Sequence, residues 1–152
     1  MRALNAAASA GLTALHRIMI AGRPLAAPEI ARAIGHPVSR LRGILHQLQD
    51  AGLLRAGRGH GYVLARPPGE ITLELLLRVL QTPEAPHAPC GGDFESCDSR
   101  ASCILAHLCR KIHEAVQEAE RSVTLEDLRD MEPGMPNCID PALRKAGTRH
   151  GH

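Results

Sequence analysis

Two short amphipathic helices joined by a glycine-containing turn, a β-hairpin directly after them, and an arginine excess over the same stretch predict a mainly α fold. The expected architecture is an α+β winged helix, a helix-turn-helix with a β-hairpin wing. A long amphipathic helix follows in the second half of the chain. With one Tyr, one Phe and no Trp in 152 residues, the core must be aliphatic. The expected organisation is a DNA-binding winged helix-turn-helix over 1–80 and a linker with a cysteine loop over 81–103. A dimerisation helix and a short terminal helix over 101–130 and a disordered tail over 131–152 complete it.

The first helix is expected from Ala6 to Ala21, with Leu12, Leu15, Ile18 and Met19 on one face and Gly22 and Pro24 as stops. A second helix starts near Pro28, a residue suited to the first helical turn, and turns Ile30 and Ile34 inward. Gly35-His36-Pro37 reads as a turn. The third helix begins near Ser39, buries Leu41, Ile44, Leu45 and Leu48, and ends at Gly52. Leu53–Arg55 and Tyr62–Ala65 flank a glycine-rich turn and read as a hairpin. Ile71 to Leu80 is a further helix, with Thr72 as its cap. Three prolines between Gln81 and Pro89 mark an extended linker. The long helix, about Ala101 to Arg121, places Leu105, Leu108, Ile112, Val116 and Ala119 at three- and four-residue spacing. That stripe needs a partner, and a second copy of the chain is the simplest one. Thr124 and Asp127 have capping-box spacing.

Charge is distributed unevenly. From Met1 to Arg66 there are nine Arg and two acids, Glu29 and Asp50, giving +7. From Pro67 to His152 nine Lys or Arg face fourteen acids, giving −5. A basic first half is the electrostatic footprint of a phosphate-binding surface. The polar side of the third helix carries Ser39, Arg40, Arg42, Gly43, His46 and Gln47, the set that would enter the major groove. Arg42 is the candidate base contact, since a guanidinium binds guanine in bidentate fashion; Arg40 suits base or phosphate. Arg58, between Gly57 and Gly59 at the wing tip, and His60 are the candidate wing contacts, the small neighbours allowing close approach to DNA. Tyr62 alone makes no stacking platform for single strands.

No stretch reaches the ~18 consecutive apolar residues of a membrane span. Arg17 interrupts the apolar N-terminal run, which continues into the helix-turn-helix, so the stretch is not read as a signal peptide and a cytoplasmic location is expected. No nucleophile–base set occurs. Gly57 to Gly61 lies in a hairpin rather than between strand and helix, so it is no dinucleotide fingerprint, and no enzymatic activity is expected.

Of five cysteines, Cys90, Cys97 and Cys103 cluster in Cys-x6-Cys-x5-Cys-x3-His, ending at His107; Cys109 and Cys138 follow. An odd count in a reducing compartment points to metal ligation or redox chemistry rather than disulfides. A glycine-rich loop holds the first two, and a helix N-terminus favours the third as a thiolate. Three such thiolates suit an iron–sulfur cluster, 4Fe-4S or 2Fe-2S. They also suit zinc, as in a Cys3His RNA-binding module, or a metal-free thiol switch. His107 shares a helix face with Cys103, whereas Cys109 lies about 240° around the helix.

The helix-turn-helix from Ile30 to Leu48, Gly52-Leu53-Leu54, the wing Arg58-Gly59-His60-Gly61-Tyr62-Val63-Leu64, three cysteines before a long helix, and the closing Val123-Thr124-Leu125-Glu126-Asp127-Leu128 form a specific set. Over about Met1 to Leu128 the chain resembles bacterial regulators of the IscR/NsrR/RirA type, the Rrf-two family. The resemblance implies a homodimeric transcription regulator that binds a pseudo-palindromic duplex through wing and recognition helix. It also implies a cluster held by Cys90, Cys97 and Cys103. Arg42 falls at the base-discriminating position and Arg58 matches the wing arginine. The chain departs from the pattern in three places: six residues separate the first two cysteines instead of five, Ala106 stands where one branch has a histidine, and no acid precedes Glu29. The fourth ligand is therefore open, with His107 the candidate.

Overall fold

The computed structural model describes residues 4–81 and 102–131. The expected linker, Cys90 and Cys97 and the expected disordered tail with Cys138 lie outside the described residues.

Helix α1 (Ala6–Ala21) is the central element. Asn5 caps it, its side chain accepting the Ala8 amide at 2.7 Å, and Gly22 closes it with φ 61°. Helices α2 (Ala27–Ile34), α3 (Val38–Asp50) and α4 (Leu73–Leu80) and the second strand all pack against it. Because α1 is contacted from several sides, its buried surface is wider than one stripe. Ala8, Ala14, Leu15, Ile18 and Met19 are buried, and so is His16, whereas Leu12 is only partly buried. Ile30 of α2 and Leu41, Leu45 and Leu48 of α3 complete an aliphatic core. No helix among the described residues is long and apolar enough to cross a membrane.

Strands β1 (Leu54–Ala56) and β2 (Tyr62–Leu64) pair antiparallel, with Arg55 opposite Val63. A 3₁₀ turn, Arg58–His60, joins them. The wing is clamped to the α1–α2 connection: Leu25 and Tyr62 exchange both backbone hydrogen bonds, at 3.1 and 2.7 Å. Gly57 and Gly61 make this possible. A Cβ at Gly61 would lie 2.7 Å from Pro24 Cβ and 3.0 Å from the Leu25 backbone nitrogen. A Cβ at Gly57 would likewise meet Pro24 at 2.9 Å, so this glycine is required by the packing of the wing on Pro24. Gly61→Ala is expected to destabilise the domain by about 1–3 kcal/mol, because backbone must move to admit one methyl. Urea unfolding measures this, and an unchanged midpoint would show that Pro24 and Leu25 yield freely.

Helix α4 starts at Leu73, two residues later than its sequence suggests, although Thr72 caps it as expected through the Leu75 amide at 3.2 Å. Ile71 is drawn out of the helix because its carbonyl accepts the Leu125 amide at 2.8 Å. The Leu73 amide donates to the Val123 carbonyl at 2.9 Å, and Thr72 bridges Thr124. These bonds fasten the end of α5 (Ile104–Ser122) to the start of α4. Beyond α5 the capping box forms, the Thr124 amide donating to Asp127 Oδ2 at 2.8 Å and the Asp127 amide to Thr124 Oγ1 at 3.4 Å. Those hydrogen bonds from the Thr124 backbone and side chain hold the Asp127 carboxyl below its ordinary range. His16 Nε2 donates to the Leu128 carbonyl at 2.9 Å, tying this C-terminal segment to α1 across the core.

Helix α5 packs on α4 and buries only Ala106. Ile104, Leu105, Leu108 and Ile112 remain 46–81% exposed in the single chain. Of the expected stripe, Val116 is partly covered and Ala119 is exposed.

Candidate nucleic-acid interface and cysteine helix

Burial of Leu41, Ile44, Leu45 and Leu48 fixes the rotation of α3. Ser39, Arg42, Gly43 and His46, at helical spacing i, i+3, i+4 and i+7, therefore share its outer face. Arg40 and Gln47 flank them, and all six are exposed. Ala26, Ala27 and Pro28 at the start of α2, Arg42, Gly43 and His46 of α3, and His60 and Tyr62 of the wing line one open groove of about 610 Å³. Three candidate contacts, Arg42, His46 and His60, thus meet in one place although the chain separates helix from wing. Ser39 and Arg40 lie at the start of α3 and Arg58 in the wing turn, exposed but outside the groove lining.

Local backbone positions the wing residues. Gly59 has φ 74° and His60 φ 64°, the only non-glycine residue with positive φ among the described residues. Such a conformation is uncommon away from glycine and projects His60 from the tight turn. Nothing in the sequence other than the neighbouring glycines signals it.

The electrostatics follow the sequence but sharpen it. Both acids of the basic half are paired. Arg23 forms an ion pair with Glu29, and its hydrogen bond holds the Glu29 carboxyl below the usual range. His46 Nε2 lies 3.4 Å from Asp50 Oδ2, one turn along α3. Both pairs are exposed and contribute little to stability. Arg40, Arg42, Arg55 and Arg58 are exposed, and their side chains carry no ion pair or hydrogen bond among the described residues. Arg55 was not singled out by sequence. Strand alternation, with Leu54 turned inward, is the signal that marks it as outward-facing.

At the other end of the chain, Cys103 is the N-cap residue of α5, partly buried and with a free thiol. The Cys103 side chain makes no capping hydrogen bond to this nineteen-residue helix, whose first amides are directed at the region of Cys103. His107 is exposed one turn later, its amide donating to the Cys103 carbonyl at 3.0 Å. Cys109, also free and partly buried, lies on another side of α5. Among the described residues no three His, Cys, Asp or Glu side chains converge on a metal-sized site. Cys90 and Cys97, the other expected ligands, lie outside the described residues.

A family described as iron-dependent transcriptional regulators, Rrf2, matches residues 4–131 of this chain. The HTH-type transcriptional repressor NsrR of Streptomyces coelicolor is 33% identical over 107 residues, covering 69% of this chain and 71% of the relative. A putative rrf2-like HTH-type regulator of Rhodobacter capsulatus is 29% identical over 110 residues, covering 66% and 71%. Among solved structures, CymR, the global cysteine regulator of B. subtilis, is similar with a TM-score of 0.72 and 28% identity, over 87% of this chain and 99% of that one. IscR of T. potens shares the fold, with a TM-score of 0.67 at 24% identity over 86% and 89%.

Proposed function

Given that this chain belongs to the Rrf2 family of DNA-binding transcription regulators and is not an enzyme, we propose that it is a homodimer that reads a pseudo-palindromic duplex and is controlled by an iron–sulfur cluster. The observation that carries the DNA-binding surface is the groove in which Arg42 and His46 of α3 meet His60 of the wing. Arg42 is the base contact, with Ser39 and His46 beside it. Arg40, Arg58 and His60 bind the sugar–phosphate backbone or minor groove. Unpaired guanidinium groups suit this role because no internal partner must be given up on binding.

Arg42→Ala is expected to cost about 5- to 150-fold in affinity for the preferred site, the usual worth of a bidentate base contact, with little loss on unrelated duplexes. Arg58→Ala is expected to weaken all duplexes alike and to lower the salt slope by about one. Gel-shift titrations at several salt concentrations separate the two. If neither substitution changes affinity, the winged-helix surface has been misassigned.

The ligands of the cluster would be Cys90, Cys97, Cys103 and His107. The donor chemistry fits: soft thiolates and one imidazole, with the amide end of α5 favouring an anionic group beside Cys103. When bound, such a group supplies a centre that reacts with oxygen or nitric oxide and responds to iron supply. The protein's part is mechanical. Cys103 stands at one end of α5, and the other end is tied to α4 by the Leu73–Val123 and Ile71–Leu125 hydrogen bonds and the Arg121–Glu74 ion pair at 3.6 Å. A change in how the cysteine loop holds Cys103 would be carried along a rigid helix to the DNA-binding domain. The alternative of a metal-free thiol switch would use the same cysteines, of which Cys103 and Cys109 form no disulfide. The zinc-stabilised RNA-binding reading is disfavoured by the match to transcription regulators.

A further inference from the structure

Resting on the DNA-binding reading above, we infer that Gly43 is a specificity-determining residue that seats the 5-methyl group of a thymine against the backbone of α3. Gly43 stands in the interior of a thirteen-residue helix, where glycine is the poorest choice short of proline. Nothing among the described residues asks for it. A Cβ at this position would meet no atom within 4 Å, and the residue has no left-handed φ. Elsewhere in the domain glycines answer to their own chain: Gly11, Gly57 and Gly61 abut neighbours, and others adopt positive φ, with Gly69 in an exposed turn the exception.

The position of the gap gives it meaning. Its neighbours one turn away on α3 are Ser39 and Arg40 on one side and His46 and Gln47 on the other, with Arg42 adjacent in sequence. Gly43 is therefore the centre of the reading face, a bare patch of helix backbone framed by polar side chains. It also lines the groove beside Ala26, Ala27 and Pro28, which have no polar side chains. A patch of bare backbone within a polar face, with apolar residues on one side of the groove, suits an apolar group on a base edge, and the thymine methyl is the one such group in the major groove. Any side chain at this position would stand between the helix backbone and the bases.

The test uses the full chain, purified without oxygen, and a duplex selected from a random-sequence pool by the wild-type protein. Gly43→Ala is expected to raise Tm by a few degrees, since alanine favours the helix and meets no clash, while lowering affinity for the selected duplex at least 10-fold. Replacing thymine by deoxyuridine at one position per half-site removes the methyl. That change is expected to weaken the wild type and to restore most of the affinity lost by Gly43→Ala. If Gly43→Ala binds as the wild type does while Arg42→Ala is weakened, the inference is overturned and the DNA-binding face stands. A loss in Gly43→Ala that deoxyuridine relieves at no position also overturns it. If neither substitution alters binding, the assignment of the face fails with it.

Discussion

Replacing Leu108 and Ile112 together by glutamate is expected to give a monomer that keeps its fold and loses DNA affinity by two or more orders of magnitude. Both side chains are more than half exposed in the single chain, at 54% and 53%, so the substitution disturbs little of the internal packing. With Ile104 and Leu105 they form a row of four large apolar side chains on the outer side of α5. Burying the remaining exposed half of each against a second copy contributes on the order of 1 kcal/mol per side chain. A two-fold interface uses every position twice, so two substitutions place four carboxylates in one apolar seam. The loss in DNA binding follows because each half-site is then held alone, without the effective concentration that a linked second reading head supplies. Light scattering reads the mass and circular dichroism the retained helix. A variant that stays dimeric places the interface elsewhere on the chain.

The second large effect concerns the cysteines. Changing Cys90, Cys97 or Cys103 to alanine is expected to abolish stable cluster binding, whereas Cys138→Ala leaves it intact. Losing one thiolate of three leaves too few protein ligands to hold the group. At Cys103 the effect has a visible structural setting: the thiol stands at the N-cap position of α5, where the helix amides favour an anionic group. His107→Ala is expected to change cluster stability or type without preventing assembly, since an imidazole in the fourth position is replaceable by solvent or a small thiol. Visible absorption and EPR of anaerobically purified protein, with iron and sulfide analysis, check all five variants. Colourless wild-type protein containing zinc, or no metal, would overturn the cluster reading. DNA affinity measured with and without cluster is expected to differ at least 10-fold; equal affinity would leave the cluster a structural element.

How much of this was legible beforehand depends on the range of the interaction. The bounds of α1, the buried stripe of α3, the hairpin and the Thr124–Asp127 capping box were all readable in the sequence, because each is set by periodicity or by residues within one turn of each other. So was the basic half, since charge needs no fold to be counted. The start of α4 was misread because Ile71 is claimed by Leu125, a partner more than fifty residues away that periodicity cannot reveal. The approach of Pro24 to Gly57, the clamp between Leu25 and Tyr62, and the bond from His16 to Leu128 likewise depend on partners far apart in the chain. The sequence alone determined which side chains of α3 face outward. Only the tertiary structure decided that His60 meets them in one groove, because the angle between wing and helix is set by Pro24 packing on Gly61 and by backbone bonds between segments far apart in the chain.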